Sequence, residues 1–151
     1  MQVFISHSHK DQRVAEELTA RLAAAGVKVW LAEKEVLPGD NWSLAVGKAL
    51  QRSDAMVVLL SPDAVESPDV RREIAFAFAS PRFEGRVVPV VVRPTGGIPW
   101  FLRTFPLIQL RGTRGQSLKR VAEKIVEALT GPASDERLAE PILAEPETAD
   151  V

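Results

Sequence analysis

The sequence predicts an α/β fold in which five parallel strands form one sheet and helices cover both of its faces. Three observations predict it. Short apolar runs alternate with stretches of helical periodicity along residues 1–130, the pattern of successive strand–helix units joined by right-handed crossovers. The runs at 54–60 and 86–92 are apolar almost throughout, as strands buried on both faces are. Glycine or proline punctuates the joints, at Gly26, Pro38-Gly39, Pro62 and Pro68, where only turns or helix ends tolerate them.

Each element has a local reason. Val3-Phe4-Ile5 is a first strand, followed by the polar segment Ser6-His7-Ser8-His9-Lys10. Asp11 is placed to cap a helix whose apolar residues Val14, Leu18 and Leu22 recur every four positions, with Gly26 to stop it. Residues 27–31 read as a second strand, and 32–41 as a polar loop whose Pro38-Gly39 marks a turn. Trp42, Ala45, Val46 and Ala49 follow at helical spacing, and Trp42 is expected in the core. The third strand, 54–60, ends at Ser61-Pro62. Ser67 and Pro68 suit the cap and first position of another helix. Its residues Val70, Ile74, Ala77 and Phe78 share an apolar face. The fourth strand, 86–92, carries Pro89, which removes one ladder donor. A short fifth spans 105–110. Leu118, Val121, Ala122, Ile125 and Leu129 mark a last amphipathic helix, closed by Gly131. Thus 1–131 forms one domain, and 132–151, rich in proline, alanine and acidic residues, reads as a flexible acidic tail.

Composition removes several function classes. The chain has 151 residues, 46% hydrophobic and 26% charged, with a net charge of −1. That balance offers no basic footprint for nucleic acid or an anionic membrane. No apolar run approaches the roughly 18 residues that cross a bilayer, and the N-terminus lacks a signal-like segment; a cytoplasmic location is expected. Without cysteine, thiolate catalysis and zinc–thiolate sites are excluded. His7, His9 and Asp11 lie close in sequence, but two histidines in one loop make a poor metal set, and no metal is expected. The backbone of the same loop suits a phosphate better.

Glu73 is the most informative residue. It lies one turn into the helix after the third strand, at the mouth of the sheet, where open α/β folds bind ligands. On a helical wheel it falls on the flank of the apolar face, between Ala77 and Phe76. Two readings stand open: a partly desolvated carboxylate facing a developing cation, or a solvated glutamate paired with Arg71 or Arg72. Val36-Leu37, set among Glu33, Lys34, Glu35 and Asp40, is either a partner contact or tucked onto the sheet edge. A phospho-aspartate receiver would need acidic residues after the first strand and an aspartate ending the third. Ser6-His7-Ser8 and Ser61-Pro62 stand there instead.

In order along residues 1–130, several segments resemble the Toll/interleukin-receptor (TIR) domain family, in its bacterial type. They are Val3-Phe4-Ile5-Ser6-His7-Ser8 with Lys10-Asp11, Val29-Trp30-Leu31, Leu37-Pro38-Gly39, Ser53-Asp54-Ala55, Val58-Leu59-Leu60-Ser61-Pro62, Ser67 with Val70-Arg71-Arg72-Glu73-Ile74, and Val88-Pro89-Val90. The resemblance implies a flavodoxin-like five-stranded sheet that accommodates Pro89. It also implies cleavage of NAD+ as substrate at the nicotinamide–ribose bond, with no cofactor and Glu73 as the catalytic glutamate. Ser6, His7 and Ser8 would line the ribose and phosphate side, and the loop from Lys34 through Leu37 and Gly39 to Trp42 the nicotinamide side. Val36, Leu37 and Pro38 would contact a neighbouring copy in self-assembly. Immune or anti-phage signalling, with a sensor or effector partner, is the implied context. Two positions depart from active members: Asp69 stands where tryptophan commonly forms an aromatic wall, and Ala32 where aspartate is common. A non-catalytic scaffold acting by TIR–TIR contact, and a deoxyribosyltransferase-like enzyme using Glu73 as nucleophile, are the alternatives.

Overall fold

A computed structural model describes residues 1–111 and 115–130. Five strands form one parallel sheet: β1 (Gln2–Ser6), β2 (Lys28–Trp30), β3 (Ala55–Leu60), β4 (Val87–Val91) and β5 (Ile108–Gln109). Their order is β2-β1-β3-β4-β5, every neighbouring pair parallel. The chain winds outward one way from β1 to β2 and the other way from β3 to β5. The crevice at the carboxyl ends of β1 and β3 is therefore the switch point where such sheets bind ligands.

The strands alternate which layer they feed. Val3 and Ile5 of β1, Val57 and Leu59 of β3, and Val88 and Val90 of β4 pack under α1 (Gln12–Ala24) and α6 (Gly115–Thr130). Phe4, Met56, Val58, Leu60 and Val91 face the opposite layer. There they meet α3 (Trp42–Arg52), α4 (Pro62–Glu66) and α5 (Pro68–Ala79). All six β3 residues are buried, as a central strand requires. Helix α1 ends as the sequence suggests: Gly26 adopts φ +91°, and Val27 N–H closes onto the Leu22 carbonyl at 3.0 Å.

Pro89 sits in an interior strand without breaking it. Met56 N–H bonds the Arg86 carbonyl, and Val92 N–H bonds Leu60. The even-numbered residues of β4 therefore face β3. The donor that Pro89 lacks points towards β5, whose pairing begins only at Val90 with Ile108. The proline costs no ladder bond there.

Several expectations need correction. The second and fifth strands are shorter than 27–31 and 105–110, and the expected loop 32–41 opens with a helical turn, α2 (Ala32–Glu35). Asp11 precedes α1 but makes no side-chain cap bond; its buried carboxylate is engaged by Ser61 and Arg93. Trp42 is not core: at the first position of α3 it is 48% exposed. Phe78, on the edge of the apolar face, is also exposed and packs edge-on against Phe101 at 5.0 Å. Gly131 and the tail 132–151 lie outside the described residues. No helix among the described residues is long and apolar enough to cross a membrane.

Candidate active site

Two carboxylates from different helices flank the last residues of β1. Ser6 ends that strand, fully buried, and its hydroxyl donates to Glu73 Oε1 at 2.6 Å. Glu73 is delivered by α5, which starts as the sequence predicts: the Ser67 hydroxyl accepts from Val70 N–H at 3.2 Å, with Pro68 at the first position. Val70, Ile74 and Ala77 bury the inner face of the helix, which turns Glu73 towards the strand ends.

Burial pushes the Glu73 carboxyl up to about 7, from an ordinary 4.5. The Ser6 hydrogen bond opposes that rise, the neighbouring Asp69 adds to it, and the charges of His7 and Arg72 oppose it. A carboxyl poised near neutrality in a cleft is the environment that catalysis favours.

The residue that follows β1 meets the second carboxylate. His7 Nε2 lies 3.1 Å from Glu33 Oε2 of α2, and the two side chains are 4% and 17% exposed. Burial on its own would depress the imidazole. The hydrogen bond and charge of Glu33 outweigh it and hold His7 above its usual value. Burial would likewise raise Glu33, but the bond and charge of His7 hold it below the ordinary range. Both partners therefore point to a charged pair. Ser8 is buried and accepts Lys10 N–H at 3.2 Å, starting the helical turn His9–Asp11.

These side chains surround a cavity of about 300 Å³. His7, Ser8, Trp42, Asp69 and Glu73 all line it, and Ser6 reaches it only through Glu73. Trp42 supplies an aromatic wall at its mouth. Asp69 lines it too, although its carboxylate pairs with Arg72 of the same helix. Lys34, Leu37 and Gly39 are exposed and do not line it. Glu33, His9, Lys10 and Asp63 do, and none of these had been picked out as a site residue. Glu33 was legible in principle: it lies two residues beyond the apolar run 27–31, at the carboxyl edge of the sheet. A second cavity of about 300 Å³ opens beside β4 and β5, between Pro89, Phe105 and Lys124, remote from Glu73.

The sequence model for the TIR domain matches residues 3–126. The chain is 26% identical over 129 residues to a probable 2′ cyclic ADP-D-ribose synthase, TcpO, of Methanobrevibacter olleyae, over 84% of this chain and 38% of TcpO. It is 33% identical over 81 residues to BdTIR of Brachypodium distachyon, also named a probable 2′ cyclic ADP-D-ribose synthase, over 52% of this chain and 36% of BdTIR. The chain thus spans less than two-fifths of the length of these relatives. Among solved structures, it superposes on the TIR domain of the Toll-related receptor TRR-2 from Hydra magnipapillata with a TM-score of 0.65 and 19% identity, covering 82% of this chain and 93% of that one. On a TIR-STING receptor from C. gigas the TM-score is 0.69 with 24% identity, over 86% and 39%. These two likenesses concern the fold. Matching over most of its length, the chain belongs to the TIR domain family.

Proposed function

We propose that the chain is an NAD+ nucleosidase: it breaks the nicotinamide–ribose bond with Glu73 as the catalytic carboxylate. The observation that carries this reading is the burial of Glu73 at the switch point, hydrogen-bonded to Ser6 and facing a cavity. The activity for which TcpO and BdTIR are named, probable 2′ cyclic ADP-D-ribose synthesis, agrees with it.

One catalytic carboxylate suffices for this bond. Hydrolysing an ordinary glycoside needs a second carboxyl to protonate the leaving oxygen. Nicotinamide is bound as a cationic pyridinium, and the electron pair of the breaking C–N bond neutralises its ring nitrogen, so it departs without a proton. Positive charge then develops at the ribose, where a dry anionic Glu73 stabilises it more strongly than water would. Water capturing the ribosyl cation gives ADP-ribose and a proton, whereas capture by a hydroxyl of the same molecule gives a cyclic product. In this reading His7 and Ser8 face the ribose and phosphates, and Trp42 offers a flat wall to the nicotinamide.

The test is nicotinamide release at high protein concentration, followed across about pH 5.5–8.5. Since ionised Glu73 is the active form, turnover should rise with pH to a plateau, with its midpoint near 7. Below the midpoint the rate should fall about tenfold per pH unit. No turnover at any pH would favour the scaffold. The aspartate in place of the aromatic wall at position 69 would then be its explanation.

Self-assembly is the second part of the reading. Leu37 is 63% exposed on a turn braced by Asp40, whose carboxylate accepts Leu37 N–H at 2.9 Å, with Gly39 at φ +93°. A rigid apolar tip of this kind suits contact with another copy through Val36, Leu37 and Pro38. Leu37→Asp should abolish concentration-dependent association in sedimentation or size exclusion. Monomer stability should change by under about 0.5 kcal/mol, as exposed sites do. Identical association profiles for variant and parent would remove the loop from the interface.

A further inference from the structure

We propose that Glu33 is a positioning residue that acts through His7 on Glu73: it holds the imidazole as a cation in the cavity wall, and that cation favours the ionised form of Glu73. The consequence for turnover rests on the NAD+ reading above; the clamp itself does not.

The geometry is a sandwich. Consecutive residues at the end of β1 are claimed from two sides, Ser6 by Glu73 of α5 and His7 by Glu33 of α2. Both carboxylates line the same cavity, with the imidazole, nine-tenths buried, also in its wall. Two carboxylates sharing a poorly hydrated site cannot both ionise cheaply, and one normally keeps a proton. A cation in the same cavity wall favours the anion on both, Glu33 by direct contact and Glu73 through its charge. The other charged groups around the site do not replace it. Asp69 opposes ionisation of Glu73 and Arg72 favours it, both from the outer turn of α5, where they pair with each other. His9 and Lys10 line the cavity from the turn His9–Asp11, and Asp63 from α4, where it is taken by Arg93. Only His7 is in contact with Glu33, and its charge also acts on Glu73.

The sign of the effect is fixed. With Glu33 neutralised, burial of the imidazole is opposed only by the Ile5 backbone and by Glu73, so His7 is charged less readily and Glu73 is left with less of a neighbour that favours its anion. Glu73 must then ionise at higher pH.

The experiment titrates His7 by imidazole nitrogen NMR and Glu73 by carboxyl carbon NMR, in the parent and in Glu33→Gln. The His7 midpoint should fall and the Glu73 midpoint should rise. Nicotinamide release should show its rising limb moved the same way; half a pH unit is about a threefold loss of rate on the acid side. In a His7→Gln background, Glu33→Gln should no longer raise the Glu73 midpoint. Glu33→Asp, which keeps the charge, should restore most of the parent behaviour and guards against a fold defect in the glutamine variant. Unchanged midpoints in Glu33→Gln, or an equal displacement with and without His7, would overturn the proposal. A parent that releases no nicotinamide would end the NAD+ reading, and the resonances would still decide the clamp.

Discussion

Glu73→Gln should lose at least about 100-fold in NAD+ turnover and, above pH 7, should be more stable than the parent. The two effects share one cause. In the fold the Glu73 carboxyl ionises near 7 rather than its ordinary 4.5. A raised carboxyl binds its proton more tightly when folded, so the stability it contributes is fully present below about pH 4.5. It is lost as pH rises through 7. The gap of about 2.5 pH units corresponds to about 3 kcal/mol at most. Glutamine keeps the size and the oxygen that accepts from Ser6 but carries no charge to desolvate. The variant should therefore match the parent near pH 4.5 and gain about 2–3 kcal/mol at pH 8, a rise of roughly 5–10 °C in Tm. Thermal unfolding at both pH values measures it. A variant less stable than the parent at pH 8 would mean that Glu73 is there to hold the fold, and the strained-carboxylate account would be abandoned. A site that gives up stability for reactivity is what an enzyme shows and a scaffold has no use for.

Those features that rest on neighbours in sequence were readable without coordinates. The strands, the Ser67-Pro68 start of α5 and the glycine stop after α1 each depend on a residue's own conformational preferences or on a partner within four positions. The place of Glu73 was readable for the same reason, since a strand end, a cap and one helical turn fix it. Contacts across the sheet were not readable. Asp11 carries the local signature of a helix cap, yet its partners lie 50 and 82 residues away. Trp42 and Phe78 fit an apolar helical face by spacing. One sits on the first turn of α3, at the cavity mouth, and the other at the margin of α5, where the underlying layer gives out. Glu33 looked like one charge among several in a polar loop. Only the pairing of β2 with β1 sets it against His7.

Asp11→Ala should cost more stability than any exposed substitution, because Asp11 ties three strand ends together. It leaves the end of β1 as a buried carboxylate, 3% exposed. One oxygen accepts from the Ser61 hydroxyl at 2.5 Å, and the other from Arg93 Nε at 3.0 Å. Ser61 follows β3, and its oxygen also caps α4 by accepting Ala64 N–H at 3.1 Å. Arg93 follows β4 and holds Asp63 with its other nitrogen at 2.6 Å. Alanine strands a buried hydroxyl proton and leaves a small void. It also removes the anion that faces the guanidinium. Breaking a fully buried ion pair costs about 3–5 kcal/mol. Arg93 is 44% exposed and can rehydrate, so about 2–3 kcal/mol is expected here. Asp11→Asn keeps an acceptor for Ser61 and should lose only about half as much. Urea denaturation orders the three proteins, and raising the salt concentration should change the order little, since the Asp11 carboxylate itself is buried. A loss below about 1 kcal/mol for Asp11→Ala would mean that the Arg93–Asp63 contact holds the strand ends unaided. The same tie helps this end of the sheet to carry a desolvated Glu73. The crevice between β1 and β3 is braced on the Asp11 side by a network of satisfied hydrogen bonds. The carboxylate on its other side can then remain desolvated without the strands parting to let water in.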